Sequence, residues 1–229
     1  MDLSILIPSK GRTKQLQVLV DHLHAMMPPG LSYEILIRDA SPKNGTSVTG
    51  ASLTFAQESP GEAVNHMAEE AKGTFLFPLG DDMRLYRRTI PTALVLMRQL
   101  PKGTLGIVFH EDPGFPCHAY LLAPEMWIVA RETFHWLGGL DPQFQYGYSD
   151  CDLGLKAWHT KLPVISLLGV CVKHAHVDDG TKRHNMKEHF DQDQEKFFTK
   201  WPNRPISTSV GGHSVDLRTP KMCPYAHEN

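Results

Sequence analysis

The sequence predicts an α/β fold, a mostly parallel sheet with helices on both faces. Three observations carry that expectation. Short apolar strands alternate with amphipathic helices through the first half of the chain. The strands are apolar in near-continuous runs, as strands covered on both faces are. Their carboxyl ends empty into loops rich in Ser, Gly, Asp and Arg, and in such sheets ligands bind beyond the carboxyl ends of the strands.

The elements follow in order. Leu3-Ser4-Ile5-Leu6-Ile7 reads as a buried strand and runs into the loop Pro8-Ser9-Lys10-Gly11-Arg12. Leu16, Leu19, Val20 and Leu23 recur at i, i+3, i+4 and i+7, one face of a helix. Tyr33 to Asp39 is the second strand, and its exit, Ala40-Ser41-Pro42-Lys43-Asn44-Gly45, is dense in turn formers. A short third strand is expected around Leu53 to Ala56. Ser59-Pro60-Gly61-Glu62 opens a helix, with Pro near the first helical position and an acid in the first turn. Val64, Met67, Ala68 and Ala71 form its apolar stripe, and Gly73 ends it. Thr74 to Leu79 is the fourth strand.

The second half is less regular. Ile90, Ala93, Leu94 and Met97 mark a helix, Ile107 to Phe109 a strand, and Trp127 to Ala130 another, followed by a short helix through Phe134. A helix begins near Asp150 and runs through Trp158, Val164 to Leu168 forms a strand, and Lys182 to Trp201 a long helix. From Pro202 onward no periodicity is visible, so the tail is expected to be a surface wrap or disordered.

Composition narrows the function classes. A chain of 229 residues suffices for one large domain or two small ones. Its formal net charge of −2 carries no basic excess of the kind that marks a nucleic-acid or membrane surface. No apolar stretch approaches the roughly 20 residues that span a bilayer. The opening Met1-Asp2 and the short run Leu3 to Ile7, met by Pro8, do not read as a signal peptide. Cys117, Cys151, Cys171 and Cys223 show no CxxC spacing, so reduced thiols are expected. The 13 histidines direct attention to histidines placed near acids.

Three clusters offer chemistry. Asp81-Asp82 follows a buried strand and Gly80. It is either a charged turn or a site for a hard cation such as Mg²⁺ or Mn²⁺, which wants oxygen ligands and cancels the repulsion of the pair. The run Gly138-Gly139-Leu140-Asp141-Pro142 precedes Tyr146-Gly147-Tyr148-Ser149-Asp150-Cys151-Asp152. Ser149 or Asp150 suits a helix N-cap and Asp152 the helix dipole; the crowded Gly and Tyr residues also suit an acid held over an aromatic-walled cleft. His174 and His176 share one face of a strand and supply one or two metal ligands, or are ordinary exposed or core histidines. Lys182, Arg183 and His184 form a small basic cluster suited to a diphosphate or to a solvated helix start.

Taken together, four segments resemble glycosyltransferase family 2, enzymes of the GT-A fold that use nucleotide sugars. They are SILIPSKGR, YEILIRDASPKNGT, ESPGEAVNHMAEEAKGTFLFPLGDDM and WIVARETFHWLGGLDPQFQYGYSDCDLGLKAW, in the family's order, across roughly residues 3 to 176. The resemblance implies a GT-A-like, Rossmann-like fold, with residues 1–201 as a single catalytic domain, its nucleotide-binding half about 1–83 and its acceptor half about 84–201, and 202–229 as a tail. It implies that Pro8, Ser9 and Arg12 line the nucleotide pocket, that Asp39 contacts base or ribose, and that Asn65 flanks the nucleotide. It places Asp82, with Asp81 as neighbour, on the divalent metal of the donor diphosphate; Lys182 and Arg183 lie beyond its span and are diphosphate candidates from the basic cluster alone. It makes Asp150 the general base and His176, ahead of His174, the late histidine of the metal shell. Two positions depart from the family pattern: Gly80 stands where the first acid of the DxD usually lies, and Ser149 where an acid often precedes the base.

The implied reaction is inverting transfer of a hexosyl or pentosyl group from a nucleotide-diphosphate sugar to an acceptor hydroxyl, with Mn²⁺ or Mg²⁺. A non-catalytic sugar-nucleotide or glycan-binding module and a nucleotidyltransferase are the competing readings. The acceptor is open among glycans, small molecules and, as the one nucleic-acid possibility, a hydroxylated phage DNA base. A cytoplasmic setting, in a bacterium or a phage-infected host cell, is expected. Phe144, Tyr146, Tyr148 and Trp158 are candidates to stack on a sugar or base, with core packing expected for at least two.

Overall fold

The computed structural model describes residues 1–41, 47–111, 119–120, 122, 124–175, 181–204, 207–210 and 214–215. The first half is β1 (Leu3–Ser9), α1 (Thr13–Met26), β2 (Tyr33–Asp39), β3 (Ser52–Phe55), α2 (Pro60–Glu70) and β4 (Phe75–Pro78). β1 runs parallel to β2 and to β4, and β2 parallel to β3. The second half adds β5 (Met83–Leu85), α3 (Thr89–Gln99), β6 (Leu105–Glu111), β7 (Ala119–Tyr120), β8 (Trp127–Ala130), α4 (Arg131–Trp136), α5 (Ser149–His159), β9 (Val164–His174) and α6 (Thr181–Lys200), then β10 (Ser207–Val210) and β11 (Ser214–Val215).

The eight-stranded sheet has the order β3-β2-β1-β4-β8-β6-β9-β5. The parallel arrangement expected holds through β1 to β4 and for β6 with β9. β8 is antiparallel to both β4 and β6, and β5 antiparallel to β9. An apolar run reports burial on two faces, not strand direction, so this mixture was not readable from pattern. β9 extends past the expected end at Leu168. Its pairing with β6 slips between Ile107 and Phe109, and Gly169 at φ 81° takes the left-handed backbone of an irregularity that the chain then continues beyond. The segment after Pro202, expected to lack regular structure, contributes β10 and β11 to a small antiparallel sheet with β7. Strands of two to four residues are too short to display a period.

Alternation along β1 divides the core. Leu3, Ile5 and Ile7 face Leu16, Leu19, Val20 and Leu23 of α1, whereas Leu6 faces the α2 side with Val64, Met67 and Ala68. A third buried cluster, Phe144, Tyr148, Cys151, Leu155 and Phe197, joins α5 to α6. Cys151 is a free buried thiol, but Cys171 is disulfide-bonded, against the expectation of four reduced thiols; sequence spacing does not report which cysteines the fold brings together.

α2 begins with a capping box. Ser59 Oγ accepts from Glu62 N at 3.2 Å, and Glu62 Oε2 accepts from Ser59 N at 2.9 Å. Ser59→Ala is expected to cost about 1 kcal/mol, seen as a lower urea midpoint with an unchanged m-value; an unaltered midpoint would show that the cap does not hold this helix start.

Candidate active site

The carboxyl ends of β1, β2 and β4 meet through their side chains. Ser9 Oγ donates to Asp81 Oδ2 at 2.7 Å, and Arg12 Nη1 to Asp81 Oδ1 at 2.6 Å. Gly11 N and Ser41 N donate to Asp39 Oδ1 at 2.9 and 2.8 Å. Asp81 is therefore the buried clasp between the first and fourth strand ends. Burial pushes its carboxyl pKa up and Asp82 adds to this, while Ser9 and Arg12 pull the other way. Asp39 is fully buried, and its Oδ2 has no hydrogen-bond partner among the described residues.

Asp82 has different company. β5 pairs Met83 with His174, so the end of β9 lies beside the turn that carries Asp82. His174 Nε2 lies 3.0 Å from Asp82 Oδ2, and Ala175 N donates to the Asp82 carbonyl at 2.8 Å. A Cβ at Gly80 would stand 3.0 Å from Asp82 Oδ1 and 3.3 Å from Met83 Cγ, a tight fit that these side chains would meet by shifting slightly. The histidine brought to Asp82 among the described residues is thus His174; His176 lies outside the described residues.

No group of three or more His, Cys, Asp and Glu side chains gathers as a metal cage among the described residues. The donor set that is present, one carboxylate and one imidazole, still fits a divalent ion of the Mn²⁺ type, which accepts both. Such an ion would need further ligands beyond these two side chains.

These strand ends form one wall of a cleft of about 620 Å³. Pro8, Ser9, Lys10, Arg12, Asp81 and Asp82 line it, with Arg38, Gln57 and Glu58 toward β2 and β3 and Gln145, Tyr146 and His189 opposite in sequence origin. Asp39 and Asn65 are not among the lining residues. Asp39 sits behind the wall, and Asn65 is committed elsewhere: its Nδ2 donates to Leu140 O at 2.7 Å and its Oδ1 accepts from Leu140 N at 2.8 Å. Asn65 thereby ties α2 to the Gly138-Gly139-Leu140 turn. Lys182 and Arg183 fall in the first turn of α6, and their side chains lie outside what is described.

Arg38, Glu58 and His189 were not singled out from sequence. Arg38 Nε donates to Glu58 Oε1 at 2.5 Å, and Glu58 Oε2 meets His66 Nδ1 at 2.6 Å. The one available signal was Arg38 itself, a cation one residue before Asp39 at the end of an apolar strand.

Asp150 stands in the first turn of α5 and is not among the cleft-lining residues. The N-cap is Tyr148, in the left-handed region at φ 65°, rather than Ser149 or Asp150. The sequence pattern of capping side chains misled here because Tyr148 caps with its carbonyl, which accepts from Asp152 N at 2.8 Å, and not with its side chain. Asp150 Oδ1 accepts from Cys151 N at 2.8 Å. Burial, and then the negative charge of Glu125, push its pKa up to about 6 against that hydrogen bond. Glu125 itself pairs with the buried His110 at 3.1 Å. Asp152 is structural: Trp201 Nε1, Lys200 Nζ and Lys156 Nζ surround it at 2.8, 2.6 and 3.0 Å. Of the four aromatics, Phe144 and Tyr148 are core, Tyr146 lines the cleft, and Trp158 is exposed.

No protein-family model matches the sequence, and no curated protein matches it. Solved structures do match in fold. TarS residues 1–349 of S. aureus, in complex with UDP, align at a TM-score of 0.63 with 12% identity over 89% of this chain and 74% of that one. Another TarS structure gives 0.60 and 12% over 86% of this chain, which spans only 40% of that longer chain. The mannosyltransferase PcManGT from Pyrobaculum calidifontis, in complex with GDP-Man and Mn²⁺, aligns at 0.60 with 16% identity over 85% of this chain and 63% of that one. Strand order, helix placement and these alignments agree that the chain has a GT-A-like α/β fold.

Proposed function

We propose that this chain is an inverting glycosyltransferase that moves a sugar from a nucleotide-diphosphate sugar to an acceptor hydroxyl. One observation carries the reading: the ends of β1, β2 and β4 bring Ser9, Arg12, Asp81 and Asp82 to a single cleft, with His174 on Asp82, in a fold whose solved neighbours hold UDP in one case and GDP-Man with Mn²⁺ in another.

Each group has a task on this reading. Pro8, Ser9 and Arg12 form the wall on which the nucleotide lies, and Asp39, buried behind it, holds the wall's backbone by accepting from Gly11 N and Ser41 N. Asp82 and His174 are the residues that would hold a divalent ion, which would supply Lewis-acid stabilisation for the negative charge of the leaving diphosphate. Asp81 keeps Arg12 and Ser9 in place. Lys182 and Arg183, on the first turn of α6, are cations for the diphosphate. An acceptor hydroxyl is a weak nucleophile until it loses its proton during attack, and Asp150 accepts that proton. Attack from the face opposite the leaving group inverts the anomeric carbon.

The raised pKa of Asp150 fixes a pH dependence. A base acts only when ionised, so turnover is expected to be flat above about pH 7 and to fall as pH drops through about 6. A pH–rate profile of kcat with no inflection between pH 5 and 7 would contradict the assignment. The reading as a whole is tested by incubating the protein with a panel of UDP-, GDP-, ADP-, CMP- and dTDP-sugars and Mn²⁺, then measuring released nucleotide. Metal-dependent release from one base class is expected. No release from any of them, with intact nucleotide binding, would favour a non-catalytic binding module.

A further inference from the structure

We infer that Asp193 of α6 is a positioning residue, which holds the loop Gln145-Tyr146-Gly147 against the cleft and so sets where Asp150 stands. The inference rests on the transferase reading above.

Asp193 is fully buried. Its Oδ2 accepts from three successive backbone N–H groups, those of Gln145 at 2.9 Å, Tyr146 at 2.7 Å and Gly147 at 3.1 Å. Its Oδ1 has Lys196 Nζ at 3.3 Å. Successive N–H groups turned to one point form an anion nest, here occupied by the protein's own carboxylate. Packing alone does not require a charge at this position, because an apolar side chain of similar volume would avoid the desolvation cost. What the carboxylate adds is the conformation of the loop.

That loop belongs to the site at both ends. Gln145 and Tyr146 line the cleft, and so does His189, one turn before Asp193 on the same helix. Beyond Gly147 comes Tyr148, whose left-handed backbone caps α5 and whose ring packs on Phe190 and Phe197 of α6 at 5.3 and 5.0 Å. Asp150 follows two residues later. From Gln145 to Tyr148, two residues short of the proposed base, the chain is thus held by α6. Without the carboxylate, three N–H groups must find water instead, and the loop relaxes away from the helix.

The test uses the full chain with Asp193→Leu and Asp193→Asn. Leucine keeps the volume and accepts nothing; asparagine keeps one oxygen able to accept at the same place. The substrate is whichever nucleotide sugar the unmodified protein hydrolyses with Mn²⁺. The opposite wall of the cleft is untouched, so Asp193→Leu is expected to lower kcat by about tenfold or more while changing the donor KM by less than about threefold. Asp193→Asn is expected to recover kcat to within about threefold of the unmodified protein. Amide exchange should quicken across residues 145–150 in the leucine variant and not in the sheet. Asp193→Ser, which cannot reach the loop, serves with the same expected outcomes if the leucine variant does not fold. Unchanged kcat, equal impairment by asparagine and leucine, or exchange that quickens uniformly through the chain would overturn the proposal. If the unmodified protein hydrolyses no nucleotide sugar, the transferase reading fails, and exchange confined to residues 145–150 or spread through the chain still decides whether Asp193 anchors the loop.

Discussion

Asp82→Asn is expected to lower metal-dependent turnover by about 10²–10³-fold while leaving the protein folded. Asparagine is nearly the same size and still offers an oxygen to His174 Nε2, and the tie from Ala175 N to the carbonyl of residue 82 is a backbone bond. The β5–β9 pairing therefore has no reason to break. What is lost is the anionic oxygen that a divalent ion requires. The expected signature is a thermal midpoint within a few degrees of the unmodified protein, together with loss of the response to Mn²⁺ in nucleotide binding. Full turnover by the variant, or a Mn²⁺ response identical to that of the unmodified protein, would remove Asp82 from the metal site. Asp81 offers no such separation. Its carboxylate is the clasp for Ser9 and Arg12, so replacing it disturbs the wall as well as the charge.

Asp150→Asn is expected to lower transfer by about 10²–10⁴-fold, with donor affinity little changed because Asp150 is not among the residues that line the cleft. The effect on stability has the opposite sign. The folded protein holds the Asp150 pKa at about 6, above its ordinary value near 4. A carboxyl whose pKa is raised on folding favours the folded state when protonated, and that advantage is lost as pH rises from about 4 through about 6. At pH 7.5 the ionised Asp150 thus weighs against folding. Asp150→Asn removes that penalty, so the variant is expected to melt no lower than the unmodified protein at pH 7.5, with any gain shrinking toward pH 4. A variant that is inactive and also much less stable at neutral pH would assign Asp150 a structural role. Full activity would discard it as the base.

The sequence carried the outline of this site further than its division of labour. Ser9 and Gly80 to Asp82 could be placed at one rim because each follows an apolar run, and ligand-facing loops in α/β sheets lie at such ends; Asp39 ends an equally apolar run yet lies buried behind that rim. The different fates of Asp81 and Asp82 were not legible. They are adjacent in sequence, yet one turns inward to Ser9 and Arg12 and the other meets His174, 92 residues away. Asn65 showed the same limit: its partner Leu140 is 75 residues distant and is engaged through its backbone, which leaves no trace in side-chain pattern. Asp193 was hidden in the polar run Asp191-Gln192-Asp193-Gln194, where nothing distinguishes a buried acid from its solvated neighbours. The direction of β8 and the existence of β5, β7, β10 and β11 escaped for a simpler reason, since direction has no periodic signal and two to four residues have no period.

On the proposed function, the carboxyl ends of β1, β2 and β4 would hold a nucleoside diphosphate, with a divalent ion at Asp82. A crystal structure of the protein grown with Mn²⁺ and either UDP or GDP, with anomalous data collected at the manganese edge, tests it most directly. The nucleotide is expected on the Pro8, Ser9 and Arg12 wall, with an anomalous peak within ligand distance of Asp82 and the diphosphate, about 2.0–2.4 Å. A nucleotide bound away from these strand ends, or manganese sited without Asp82, would contradict it.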